Sequence, residues 1–500
     1  MSDGILLAID QGTSSSRAMG FSFQGESVAL EQQTFEQIYP APGWVEHDAE
    51  VIWATVLSTT RKLLAKLAGA RSKVAAVGIT NQRETTVVWD RRTGVPIFNA
   101  IVWQDRRTAE RCRELNQGGV EAEVTHKTGL LLDPYFSSTK IAWILDRVPG
   151  AREAARAGHI AFGTVDSFLI WRLTGGRLHV TDATNASRTA LYDIRKGRWD
   201  EALCELFNVP MACLPDVRDT AGDFGITDAA VLGEALPIRG VAGDQQAALV
   251  GQACFAAGEA KCTYGTGAFL VLNTAGELVP SKNRLLSTVA YQLNGTVTYA
   301  LEGSILSAGA AIQWLRDGLG LISRAADVES LAASVADAGG VYLVPAFTGL
   351  GAPYWDADAR GAILGLTRAA SRGEIARAAL DSVVYQTYDL LDAMAADGMR
   401  PVSLKVDGGM AQNGLFMQRL ADIMGLTILR PRITESTAFG AACLAGLGSG
   451  IYGSLAEIAA LAQAGANFES TLAEPLRDAE IAGWRSALRR VRSHPHGVQI

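Results

Sequence analysis

Residues 5–23 read Ile5-Leu6-Leu7-Ala8-Ile9-Asp10-Gln11-Gly12-Thr13-Ser14-Ser15-Ser16-Arg17-Ala18-Met19-Gly20-Phe21-Ser22-Phe23, an apolar strand, a turn of glycine and hydroxyl residues, and a second strand. Lys261-Cys262-Thr263-Tyr264, the turn Gly265-Thr266-Gly267 and the run Ala268 to Leu272 repeat the figure about half a chain later. Two such hairpins predict two related lobes, each presenting one turn able to grip a phosphate. The predicted lobe boundary, near residue 250, follows from the hairpin positions alone.

Around the hairpins, strands alternate with helices. Glu50 to Leu67 carries Ile52, Val56, Leu63 and Leu67 at helical spacing, while Ala75 to Thr80 and Thr85 to Trp89 read as short strands. Ser371-Arg372-Gly373-Glu374 has the form of a capping box ahead of a helix bearing Leu380, Val384 and Leu391 on one face. Farther on come Ser403 to Val406, the turn Asp407-Gly408-Gly409, and a helix around Phe416, Leu420 and Met424. Gly425 stops that helix, and Thr427 to Leu429 returns as a strand. The alternation predicts α/β layers.

A chain of 500 residues exceeds one small core, and length alone gives a soft prior of ~3 domains, which two large lobes satisfy equally well. The net charge of −7 is spread without a basic block, which argues against nucleic acid as a partner. No apolar run approaches the ~20 residues that span a bilayer, and the start is too polar and short for a signal peptide. Cysteines 112, 204, 213, 254, 262 and 443 form no CxxC pair, so free thiols in a reducing, cytoplasmic compartment are expected.

Asp244, within Ala242-Gly243-Asp244-Gln245-Gln246-Ala247-Ala248, stands in a glycine-flanked turn behind an apolar strand. A carboxylate near two phosphate-friendly turns points to phosphoryl transfer to a hydroxyl, which needs positioning, charge neutralisation and a proton acceptor. In the first turn, Thr13, Ser14, Ser15 and backbone N–H groups suit phosphate oxygens, Arg17 adds a charge-assisted contact, and Asp10 suits Mg²⁺ held through water. The same stretch also reads as an ordinary polar hairpin. It is no Walker A loop, because a strand follows and no Gly-Lys-Ser/Thr does. Tyr264-Gly265-Thr266-Gly267 and Asp407-Gly408-Gly409 with Asn413 admit either a nucleotide or a plain tight turn.

Arg83-Glu84 reads either as a surface ion pair or as a donor fork and acceptor for a polyhydroxyl ligand. In the second case, removing Arg83 is expected to weaken substrate binding and leave stability alone. Gly448-Ser449-Gly450-Ile451-Tyr452-Gly453 fits GxGxxG but follows a helix-like run of small residues, so it is not a dinucleotide fingerprint. His494-Pro495-His496 reads as a disordered tail ahead of a metal site.

Together these stretches resemble the FGGY carbohydrate kinases, and among them the members that phosphorylate glycerol. The likeness rests on Asp10 to Arg17, Phe35 to Pro40 with Pro42-Gly43-Trp44-Val45-Glu46-His47, Gly78 to Thr85, Asn99 to Gln104 and Asp133-Pro134-Tyr135-Phe136. It continues through Gly243 to Ala248, Tyr264 to Phe269, Pro345 to Trp355 and Asp407-Gly408-Gly409, so it covers nearly the whole chain. The resemblance implies a two-lobed, actin-like ATPase (ribonuclease H-like) α/β fold with the active site in the interlobe cleft. Residues 1–250 would bind mainly glycerol and residues 251–500 mainly nucleotide.

By the same resemblance, Arg83, Glu84, Tyr135, Asp244 and Gln245 would hydrogen-bond glycerol, with Trp103 and Phe269 against its carbons. Thr13, Ser14, Ser15, Arg17 and Thr266 would meet the phosphates of ATP. Gly309, Gln313, Gly409 and Asn413 would lie along the nucleotide, Asp10 would position Mg²⁺, and Asp244 would act as general base. The partners implied are glycerol and ATP, with no membrane insertion and a homo-oligomer, dimer or tetramer. A related kinase for another polyol or ketose would share the phosphate turns without needing the Arg83, Glu84, Trp103 and Tyr135 set. A non-catalytic actin-like protein would have no use for an aspartate at 244. Some relatives are inhibited by fructose 1,6-bisphosphate at a glycine-rich, arginine-bearing loop. Here Ile226 to Pro237 has one glycine, no arginine and two acids, so no such control is expected.

Overall fold

The computed structural model describes residues 4–70, 72–462 and 464–493; the His494-Pro495-His496 tail lies outside them. One sheet is built from β1 (Gly4–Gln11), β2 (Ser15–Ser22), β3 (Ser27–Thr34), β4 (Lys73–Asn81) and β5 (Ile238–Gly243). A second is built from β6 (Glu259–Tyr264), β7 (Ala268–Ala275), β8 (Leu286–Leu293), β9 (Thr296–Ile305), β10 (Ser403–Asp407), β11 (Ile428–Pro431) and β12 (Ala464–Phe468).

The repeat foreshadowed by the hairpins is a repeat of topology. The first sheet runs β5-β4-β1-β2-β3, and the second contains β11-β10-β6-β7-β9 with β8 and β12 added at its edges. In both, the first two pairings are parallel and the next two antiparallel. A hairpin needs only a tight turn, whereas each parallel strand needs a crossover that returns the chain to the same edge. The expected strand at 85–89 forms as Val87–Asp90, but it pairs with Ile160–Gly163 in a side ribbon and not in the main sheet.

Helix α1 (Ala49–Gly69) buries Ile52, Val56, Leu63 and Leu67 against β2 and β3. Asp48 caps its first turn by accepting from the Glu50 N–H at 2.8 Å. Helix α2 (Asp244–Gly251) leaves β5 directly, and α3 (Gly309–Asp317) follows β9. Helix α4 (Arg372–Ala396) starts on the expected capping box: Glu374 accepts from the Ser371 N–H at 2.8 Å and Ser371 Oγ from the Gly373 N–H at 3.1 Å. Helix α5 (Gly414–Met424) stops at Gly425, which takes the left-handed conformation at φ 63°.

Helix α6 (Ser436–Gly448) is apolar all round and buried on every side. It comes from the second half of the chain but packs on β1, β4 and β5 of the first sheet, and crosses α2. The crossing is closer than side chains allow. A Cβ on Gly440 would stand 1.8 Å from the Ala247 carbonyl oxygen, so only glycine fits there. Residue 250 thus falls in the last turn of α2, inside the contact that joins the two lobes.

Candidate active site

Three parallel strands of the first sheet end level with one another, with Gln11 and Gly243 both in register with Asn81. The segments that follow them therefore emerge side by side: the 12–15 turn, Arg83-Glu84, and Asp244 at the start of α2. In the second sheet Thr263 of β6 is in register with Asp407 of β10, which brings together the 264–267 and 407–409 turns. Ligand sites of open α/β sheets gather at such strand ends.

Arg83 is 2% exposed and Glu84 1%, which excludes the surface-pair reading. Nor are they each other's main partner, standing 3.9 Å apart. Arg83 instead grips Glu302 of β9 with both terminal nitrogens, Nη1 at 2.5 Å and Nη2 at 2.9 Å. Its Nε lies 3.3 Å from Asp244 Oδ1, and Nη2 reaches the Tyr135 hydroxyl at 3.5 Å. Glu84 accepts from Arg188 Nε at 2.6 Å, and Arg188 Nη2 donates to Glu302 at 2.9 Å. The Glu84 backbone sits at φ 58°, a strained setting for a side-chain-bearing residue.

Asp244 is the exception in this buried group, with 30% of its side chain exposed. Burial pushes its carboxyl above the usual carboxylate range, and the Arg83 and Lys261 charges pull the other way. Burial also raises Glu84 against Arg188 and Arg83. For Glu302 burial is outweighed by Arg188 and Arg83, which hold it down at about 2. Three cations (Arg83, Arg188, Lys261) thus stand among the carboxylates Glu84, Glu302 and Asp244, and Lys261 also faces the charge of Asp407.

Gln245 follows Asp244 on α2 and accepts from the buried Lys261 Nζ, which also donates to Thr263 Oγ1 at 3.1 Å and to the Phe269 carbonyl at 3.4 Å. Trp103 meets Tyr135 and Phe269 edge-on, at 5.6 and 5.8 Å between ring centres, so three aromatic rings line one flank. Trp103 Nε1 donates to Thr13 Oγ1 at 3.0 Å and ties that wall to the first turn. All seven residues assigned to the substrate from sequence fall within this one network.

The first turn closes through the Gly12 N–H on the Ser15 carbonyl at 2.9 Å and leaves Ser14 exposed. Asp10 and Arg17 pair with one another at 2.5 Å, and Arg17 also reaches Glu435, just ahead of α6. Burial raises the Asp10 carboxyl, opposed by Arg17. Any ligand for either residue must share that ion pair.

In the second turn Thr266 is exposed, and its carbonyl accepts from the Ala308 and Ala310 N–H groups at 2.9 and 3.0 Å. Gly309 thereby abuts Gly265, and Gln313, one turn along α3, faces solvent. A Cβ on Gly408, at φ 87°, would meet the Tyr264 carbonyl oxygen at 2.4 Å, so the 407–409 turn docks on the 264–267 turn only as glycine. Gly409 borders open space, and Asn413 caps α5 by accepting from the Phe416 N–H at 2.8 Å.

Arg188, Glu302 and Lys261 were not singled out from the sequence. No spacing marks them, because each joins the site by tertiary contact. Among the described residues no group of three or more His, Cys, Asp or Glu side chains could enclose a metal ion, and no helix is long and apolar enough to cross a membrane.

Residues 5–251 match the FGGY family of carbohydrate kinases, N-terminal domain, and residues 260–449 match its C-terminal domain. The glycerol kinase of Alcanivorax borkumensis is 58% identical over 97% of this chain and 98% of that protein. Glycerol kinase 1 of Pseudomonas aeruginosa is 58% identical over 98% and 99%. Among solved structures, Plasmodium falciparum glycerol kinase with ADP superposes with a TM-score of 0.92 at 36% identity, covering 98% of each chain. Gluconate kinase from Lactobacillus acidophilus, at 21% identity and a TM-score of 0.89, shares the fold. The two-lobed α/β fold is of the actin-like ATPase type. With both family domains matched in order and full-length relatives at such identity, the chain belongs to the FGGY family of carbohydrate kinases.

Proposed function

We propose that this protein phosphorylates glycerol with ATP, giving ADP and sn-glycerol 3-phosphate. The observation that carries the reading is the meeting of Arg83, Glu84, Tyr135, Asp244 and Gln245 beneath the Trp103 and Phe269 rings, between two phosphate-friendly turns. A small triol offers hydroxyls at fixed spacing, which a guanidinium fork and carboxylates match, while aromatic walls favour its carbons and limit its length. Relatives 58% identical along nearly their whole length carry the name glycerol kinase. That favours glycerol over a ketose or a longer polyol.

Asp244 accepts the proton as the terminal hydroxyl attacks the γ-phosphorus. It is the carboxylate of the group with an exposed face; burial raises its carboxyl, which makes it a better proton acceptor, and the Arg83 and Lys261 charges oppose that rise. The O–P bond forms to the hydroxyl oxygen as the bond to the ADP oxygen breaks, so placing the two ends in line is most of the task. Thr13, Ser14, Ser15, Arg17 and Thr266 meet the phosphates, and Gly309, Gln313, Gly409 and Asn413 border the nucleotide. Mg²⁺ would offset phosphate charge. The Asp10 carboxylate, already paired with Arg17 and outside any group of three or more ligating side chains among the described residues, fits an ion that keeps most of its waters better than one caged by protein.

Residues 1–250 then serve mainly glycerol and 251–500 mainly nucleotide, with Phe269 crossing over. Six buried, unpaired cysteines fit the cytoplasm. A homo-oligomer is expected and is checked by sedimentation. The activity itself is tested by ADP release with glycerol, erythritol, xylulose or no acceptor. Release dependent on glycerol supports the reading; equal release without acceptor, or preference for xylulose, overturns it.

A further inference from the structure

We propose that Glu302 is the positioning residue of the polyol subsite, fixing Arg83 directly and Glu84 through Arg188 from the opposite lobe. The inference rests on the glycerol reading above and concerns how its two charged substrate contacts are aimed.

A guanidinium has five N–H donors in one plane, so gripping two of them fixes where the others point. Glu302 takes the tight contacts, at 2.5 and 2.9 Å. What remains of the Arg83 fork is loosely engaged: 3.3 Å to Asp244, 3.5 Å to the Tyr135 hydroxyl and 3.4 Å to Gln246 Oε1. The Nε contact faces Asp244, the general base, and a substrate hydroxyl can replace it. The tight end is anchored and the loose end is presented.

The same carboxylate reaches Glu84 by one relay. Arg188 donates Nη2 to Glu302 and Nε to Glu84, and it lies across the Tyr135 and Phe136 rings at 5.7 and 5.5 Å. Only one Glu84 oxygen is engaged by Arg188, which leaves the second free to accept from a hydroxyl. Arg83, Glu84 and Arg188 belong to the first lobe and Glu302 to a strand of the second sheet. Glycerol would therefore meet a correctly aimed donor and acceptor only when the two lobes sit in this register.

A network kept for charge balance alone makes a different prediction, and two variants separate the cases. Glu302→Gln keeps the shape and one acceptor but loses the bidentate charged grip. Arg188→Gln/Glu302→Gln removes one charge of each sign and leaves the net charge unchanged. In both, glycerol KM is expected to rise roughly 10–100-fold, the scale of lost charge-assisted hydrogen bonds, while ATP KM stays within about threefold. The preference for glycerol over propane-1,3-diol, which lacks the middle hydroxyl, should shrink along with it.

The double variant should recover the parental melting temperature without recovering glycerol KM. If it restores both, Glu302 serves charge balance and the proposal falls. Should the single variant fail to fold, Glu302→Asp carries the test, since it keeps the charge and shortens the reach: glycerol KM should rise with the melting temperature near parental, and an unchanged KM overturns the proposal. A parent with no glycerol-dependent ADP release would instead overturn the substrate reading. The same two variants would then be assayed on the acceptor that the parent does use.

Discussion

Among the buried arginine–carboxylate networks of this molecule, two of similar make-up can be compared, and of this pair only one is built like a site. At the lobe junction Arg83 and Arg188 bind Glu84 and Glu302. Within the second lobe Arg377 and Arg419 bind Asp381, at 3.2 and 2.8 Å, and Arg419 also reaches Glu480. Asp381 is pushed upward by burial, as Glu84 is. Burial and a shifted carboxyl therefore do not distinguish them. The differences are geometric. The second network links helices α4 and α5 to the C-terminal helix Glu474–Val491, and its partly exposed carboxylate, Glu480, is as exposed as Asp244 but is already taken by Arg419 and by a Tyr385 bond at 2.8 Å. The junction network joins the two lobes, holds Glu84 in a strained backbone, and opens onto Asp244 and three aromatic rings.

The sharpest way to break this contrast is at Asp244. Asn keeps its size but cannot take a proton, so Asp244→Asn should fold, bind glycerol and nucleotide, and lose roughly 10²–10⁴-fold in kcat. Because burial raises the Asp244 pKa, parental kcat should be full above that value and fall as pH drops through it, with the limb above the ordinary 3.8. Asn should remove the limb. Activity within a few-fold of the parent would leave Asp244 as an orienting group only, a loose transition state needing little proton transfer.

Next come the arginines themselves. Removing one partner of a buried pair strands the other charge, which costs about 3–5 kcal/mol. Arg83→Ala and Arg419→Ala should therefore both lower the melting temperature, and only Arg83→Ala should also raise glycerol KM. This corrects the sequence-based expectation that Arg83 leaves stability alone, since its grip on Glu302 was invisible there. An equal KM rise in both variants would erase the distinction between the networks.

Trp103→Ala probes the aromatic wall of the junction network. One apolar contact discriminates by ~1–3 kcal/mol, so glycerol should bind more weakly while longer polyols gain relative to it. An unchanged preference along a polyol series would take Trp103 out of the subsite.

The smallest effect expected is none at all: fructose 1,6-bisphosphate should not inhibit through residues 228–235. That loop is less bare of cations than its sequence indicated. Arg177 pairs with Asp228 at 3.1 Å, and Arg61 donates to the Val231 carbonyl. Both are committed to groups of the loop itself, and Asp228 caps residues 229–232. Inhibition that disappears on changing 228–235 would refute this.

What the sequence determined by itself is local. Alternating strands and helices, the two glycine-hydroxyl turns, the Ser371–Glu374 box and the Gly425 stop were legible because each depends on residues a few positions apart. The residues that line the pocket were legible only as motif matches, since nothing local in Arg83-Glu84 separates a surface pair from a buried fork. Tertiary structure alone decided that β1, β4 and β5 end level, which makes neighbours of Asp10, Arg83 and Asp244. It also decided that α6 crosses to the other lobe over Gly440. And it placed Glu302, 219 residues along the chain from Arg83, as that arginine's partner. Such contacts depend on how two sheets close on one another, and the energy of a buried charge is set by what surrounds it in space, which no sequence spacing records.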